Sequence, residues 1–184
     1  MSLRSPENPL RSGPLRVTLV ITVAAALVAA ANASARFTPR TLSGTWSGTW
    51  TNQTFGSSGP ATVVAKSLAD NTKLRFSVDF GGGVFGCASV PPEATPALPK
   101  GSGPNHWGAA GFTIKGRSKD FGTLTLDYRA ASGNLRGSGM NPPCAQGLSW
   151  TMIGAFVGSK FSGKVKIKLA SGQTAISDIS LTRE

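Results

Sequence analysis

Residues 72–80, TKLRFSVDF, alternate without a break, with Leu74, Phe76, Val78 and Phe80 on one side and Lys73, Arg75, Ser77 and Asp79 on the other. Apolar side chains at every second position mark a strand with one wet and one dry face. The same pattern recurs downstream. Leu124, Leu126 and Tyr128 oppose Thr123, Thr125, Asp127 and Arg129, and Phe161, Gly163, Val165, Ile167 and Leu169 oppose Lys164, Lys166 and Lys168. Weaker segments of the same kind occupy 44–52, 60–67, 110–116, 134–140, 149–157 and 174–182. The breakers between them are short: Asp70-Asn71, Ser132-Gly133-Asn134, Gly158-Ser159 and Ser171-Gly172. They suit hairpins better than crossovers. No segment beyond residue 40 keeps a helical period. The fold class is therefore all-β, an antiparallel meander that must hide its edges. Closure into a small barrel of about eight strands does so most completely, with a β-sandwich as the runner-up. Glycines inside the strands, at Gly48, Gly137, Gly139 and Gly163, fit the tight bends of such a barrel.

One stretch departs from the pattern. Residues 81–108 contain Gly81-Gly82-Gly83, Cys87 and prolines at Pro91, Pro92, Pro96, Pro99 and Pro104, and they read as a long irregular loop. Loops of this length are either functional or mobile insertions.

Ahead of the β-rich part, Arg4, Arg11 and Arg16 precede an uncharged apolar run from Val17 to Ala31, followed by the small residues Ala33-Ser34-Ala35. A positive segment, a short apolar core and a small-residue cleavage site form a secretory leader, and the core is shorter than the roughly twenty residues of a membrane span. The expected organisation is a signal peptide at 1–35 and a single β-barrel domain at 36–184, secreted or periplasmic, with no stable membrane span once cleaved. Cleavage removes three positive charges and one negative, lowering the formal charge from +11 to +9. An oxidising compartment makes Cys87 and Cys144 the partners of an expected disulfide. Closing that loop restricts the unfolded chain by roughly 4 kcal/mol. Two cysteines and one histidine cannot complete a zinc site, so no metal is expected.

The most distinctive local sequence is Gly44-Thr45-Trp46-Ser47 followed by Gly48-Thr49-Trp50-Thr51, which puts Trp46, Gly48 and Trp50 on one strand face. Its Gly-x-Trp resembles the first strand of the calycins, the lipocalin and avidin group of ligand-binding barrels, over about ten residues. In lipocalins the Trp plugs the closed end of the barrel under a basic residue of the last strand. The resemblance thus implies that Arg183 packs over Trp46 or Trp50 as a structural residue. Gly48-Thr49-Trp50-Thr51-Asn52 with Gly56-Ser57 also looks like the avidin first strand and loop, which would give Asn52 and Ser57 hydrogen bonds to a ligand carbonyl. Trp107 and Trp150 do not occupy the later tryptophan positions of avidins.

The aromatic residues Phe76, Phe80, Phe112, Tyr128, Trp150, Phe156 and Phe161 either fill the barrel or line an apolar pocket, since eight strands leave just enough room for side chains or one small ligand. Trp46, Trp50, Asn52, Phe76, Phe80 and Tyr128 are the candidate ligand-binding residues. Catalysis has little to work with. His106 is the sole histidine, the Asp residues sit at turns or on wet faces, and Gly81-Gly82-Gly83 lacks the Lys and helix of a phosphate loop. The Lys164, Lys166 and Lys168 stripe has no interleaved aromatics for base stacking and reads as protection of a strand edge, so no nucleic acid partner is expected. No cofactor is implied. The expected function is a non-enzymatic binding or structural module, with a small apolar ligand as occupant. The alternative is a protein-interaction or inhibitor domain that meets an extracytoplasmic protein or surface through 81–108.

Overall fold

The computed structural model describes residues 36–82, 93–143 and 145–184. The expected leader and both cysteines, Cys87 and Cys144, lie outside them. Among the described residues one short helix, α1 (Pro39–Leu42), precedes twelve strands. The long ones are β1 (Gly44–Asn52), β2 (Ser58–Leu68), β3 (Lys73–Phe80), β7 (Gly111–Ser118), β8 (Gly122–Arg129), β9 (Asn134–Met140), β10 (Ser149–Val157), β11 (Lys160–Lys168) and β12 (Thr174–Arg183). Between β3 and β7 lie three short ones, β4 (Glu93–Ala94), β5 (Leu98–Pro99) and β6 (His106–Gly108). The hydrogen-bonded order is β4-β3-β2-β1-β12-β11-β10-β9-β8-β7-β6, with β5 also pairing with β3.

Every ladder between these strands is antiparallel, and β1 pairs with β12 from Trp46↔Arg183 to Asn52↔Ser177. First and last strands are thus neighbours in the middle of the sheet. Its two free edges belong to the β3–β5 side and the β6–β7 side. They meet at one end through a parallel bridge between Lys100 and Trp107. There the Trp107 indole also donates to the Thr72 carbonyl at 3.1 Å. The result is a nearly closed antiparallel barrel.

Two expectations are corrected. The continuous path holds eleven strands rather than about eight. The additional ones fall inside the 81–108 stretch, where two or three residues among prolines are too few to show alternation. The lysine stripe of β11 does not guard an edge, because β10 and β12 flank that strand on both sides.

Two-residue hairpins follow the turn chemistry of the breakers. Gly158, at φ 60°, starts the loop between Val157 and its partner Lys160. A side chain there would be strained, because two-residue loops need a left-handed first residue to match strand twist. Strand glycines have a different cause, which is space for rings. A Cβ on Gly139 would sit 2.5–2.7 Å from three atoms of the Trp150 indole. Gly154 and Gly163 face each other across β10 and β11, and the Phe161 ring covers both.

One end of the barrel is plugged by the segment before β1. Thr38 is extended and Pro39 opens α1, a position where proline's missing N–H is no loss. The Phe37 ring packs at 5.3–6.1 Å from Trp107, Phe112 and Tyr128. The Trp46 indole donates to the Leu42 carbonyl at 2.9 Å, which seats the helix on the barrel.

Candidate functional site

Behind that plug the barrel is hollow. A cavity of about 350 Å³ runs along the lumen, walled by inward residues of all nine long strands. Pockets that hold small ligands measure about 300–1,000 Å³. Were this one sealed and dry, its cost would be on the order of 8 kcal/mol, a large share of the net stability of a domain. It is not sealed. The exposed lining residues cluster on two facing segments, Ala94 and Pro96 on one side and Asn105, Lys115, Gly116 and Arg117 on the other. These segments border the gap between the two free sheet edges, and they form the mouth.

The wall is nearly all hydrocarbon. Trp46, Trp50, Phe76 and Phe80, four of the candidate residues, line it, joined by Trp150 and Phe161. Two lumenal indoles, both at the end away from the plug, have their donors committed elsewhere. The Trp50 N–H donates to the Gly81 carbonyl at 2.8 Å and the Trp150 N–H to the Phe121 carbonyl at 3.1 Å. A ligand therefore meets the faces of these rings and not their donors. The few polar lining groups are also occupied: Ser118 Oγ accepts from the Asp120 and Phe121 N–H groups, and Thr95 Oγ1 from that of Phe76. Ser177 differs. Its side chain is buried in the β12 wall opposite the gap, and Oγ has no hydrogen-bond partner among the described residues.

Two candidate residues are corrected. Asn52 is not part of the wall; its Oδ1 accepts from the Thr54 and Phe55 N–H groups at 2.9 and 3.0 Å, holding the β1–β2 turn. A turn that needs an acceptor outcompetes a ligand for the same atom. Ser57, in that turn, is exposed. Tyr128 also lies off the cavity, stacked on Phe112 with centroids 5.2 Å apart in the plugged end. Burial raises its phenol pKa above the usual 10.0.

Arg183 stands over the outer side of the plug. Its guanidinium carbon is 5.2 Å from the Trp46 ring centroid, and Nη1 donates to the Thr41 carbonyl at 3.0 Å. His106 lies on β6 outside the lumen, with Nδ1 donating to the Pro104 carbonyl at 2.9 Å. Among the described residues no three His, Cys, Asp or Glu side chains are grouped to hold a metal ion.

Sequence reasoning missed the plug and the β7 side of the mouth. Thr38-Pro39 followed three residues on by Leu42 carried a helix-start signal that could have found the plug. The mouth depends on which long strand lies across the gap from β3, and no local pattern encodes that.

The barrel is similar to a solved structure of a protein of unknown function from the DUF3598 family of Nostoc punctiforme PCC 73102, determined at 1.75 Å resolution. The two share 12% identity with a TM-score of 0.52, over 81% of this chain and 50% of that one. This chain thus spans about half the length of that protein, and the likeness is one of fold. No family model matches the chain, and no curated protein is similar to it.

Proposed function

We propose that the domain is a binding module that carries a small apolar ligand in its lumen and catalyses no reaction. The observation that supports this is the cavity itself: about 350 Å³, open at one gap, and walled by aromatic and aliphatic carbon whose indole donors are already bonded. Burial of apolar surface at about 25 cal/mol per Å² is the driving force such a wall offers. A binding role is also favoured by what the described wall contains, since none of its residues is Asp, Glu, His or Cys. In this reading the domain works outside the cytoplasm, following the leader pattern of residues 1–35. The 93–108 segment serves as the rim of the lumen instead of an independent interaction surface.

Organic extraction of the protein purified from its native host, followed by mass spectrometry, tests the proposal directly. An apolar molecule recovered in near-equimolar amount is the expected result. Recovery of none, together with failure of environment-sensitive apolar dyes to bind competitively, would count against it.

A further inference from the structure

The charged groups around the lumen narrow the ligand further, on the premise that the lumen takes one. Lys115 and Arg117 are the charged residues among the described lining, and both lie at the mouth. They are alternate residues of β7, so their Cα atoms are about 7 Å apart by strand geometry. Among the described residues neither forms an ion pair. Two unpaired cations side by side repel each other, and an anion between them relieves that repulsion.

The backbone adds a third donor. On the side of β7 away from β8, the Asn105 N–H donates to the Thr113 carbonyl, and the Lys115 N–H donates to Asn105 Oδ1 at 2.9 Å. Residues of that parity face the gap, and the next is Arg117. Among the described residues its N–H has no partner, because β6 pairs with β7 only over Gly111 to Thr113. The Arg117 N–H thus points into the gap, while the exposed Lys115 and Arg117 side chains leave β7 on its wet face, opposite Thr125 and Thr123, at the rim of the carbon-lined chamber.

We infer that the ligand is an amphipathic anion: an apolar body in the lumen, with a single anionic head group held at the mouth by Lys115, Arg117 and the Arg117 N–H. Trp50 and Trp150 line the lumen and report occupancy through intrinsic fluorescence. Three probes with the same chain separate the possibilities: palmitate, hexadecanol and hexadecylamine. Palmitate should bind most tightly, on the order of tenfold better than the alcohol, as expected of two exposed cations each worth up to about fivefold. Its affinity should fall as salt is raised, while that of hexadecanol should not. The Lys115→Gln/Arg117→Gln double variant should bring palmitate to the affinity of the alcohol and leave the alcohol unchanged. The salt series on the unaltered protein gives the same answer should the variant fail to fold. Equal binding of palmitate and hexadecanol, tightest binding of the amine, or equal weakening of all three by the variant overturns the anionic head group and leaves the lumen reading standing. Binding of none of the three overturns both.

Discussion

At the scale of single residues, the strand glycines act as recesses for rings. Gly139→Ala would press a methyl into the Trp150 indole at 2.5–2.7 Å, and the expected loss is about 1–3 kcal/mol of stability, the usual cost of overpacking. Gly116→Ala is the control, since nothing lies within 4 Å of the added Cβ. Thermal melts of the two variants should separate clearly; equal melting points would mean that Trp150 does not lie on β9. Ser177 has the opposite sign. An unpartnered buried hydroxyl costs about 1–3 kcal/mol in desolvation, so Ser177→Ala should leave the ligand-free melting temperature unchanged or raise it. A fall of several degrees would show that the hydroxyl is bonded in solution. Tyr128 sets a pH limit. Its folded pKa is raised by burial, so the folded state holds the phenol proton more tightly than the unfolded chain does. The stabilisation is complete below about pH 10, the unfolded value, and is lost as pH rises through the folded one. Tyr128 is the chain's one tyrosine, so the phenolate absorbance in native and denatured protein reads both titrations without ambiguity, and coincident midpoints would contradict its burial.

Among the elements, the free stretch of β7 is the most informative. Gly116 faces β8 within an unbroken ladder, while Arg117 faces the gap. Amide exchange should therefore be much faster at Arg117 than at Gly116 in the absence of ligand, because exchange follows local hydrogen bonding. Equal protection would place a strand against β7 and close the mouth. The nine long strands were legible from the sequence to within two residues at either end, because β3, β8 and β11 alternate strictly and the turns between consecutive long strands carry left-handed residues such as Asn71, Gly133, Gly158 and Gly172. Among the short strands that logic had nothing to read: β5 is Leu98–Pro99, whose assignment depends on its neighbour β3 and not on its own residues. The site was legible in part for the same reason. Phe76 and Phe80 follow from the parity of β3 alone. Asn52 was misread because its side chain serves the five-residue turn between β1 and β2, and parity does not extend into turns. Tyr128 has lumenal parity but sits at the level of the plug, and height along the axis is set by register between strands that are distant in sequence.

For the whole molecule, the pairing of β1 with β12 decides the shape. It joins residues more than a hundred positions apart, and it moves the opening of the barrel away from the chain ends to the gap between β3 and β7. The lumen is hollow because inward glycines stand opposite the large rings, and small residues such as Ala65 and Val63 line the β2 wall. Filling that wall tests the molecule as a container. Val63→Phe with Ala65→Leu should leave the ligand-free protein as stable as before or add about 0.5–2 kcal/mol, the usual return from filling a cavity. The same substitutions should abolish ligand-induced stabilisation, which for an occupied lumen is about 2.7 kcal/mol when free ligand is a hundred times its Kd. The measurement is a pair of thermal melts for each protein, with and without palmitate. Retention of the ligand shift in the filled variant would place the binding site outside the barrel. A large loss of stability without ligand would mean that the lumen is already packed, leaving the fold with no room for an occupant.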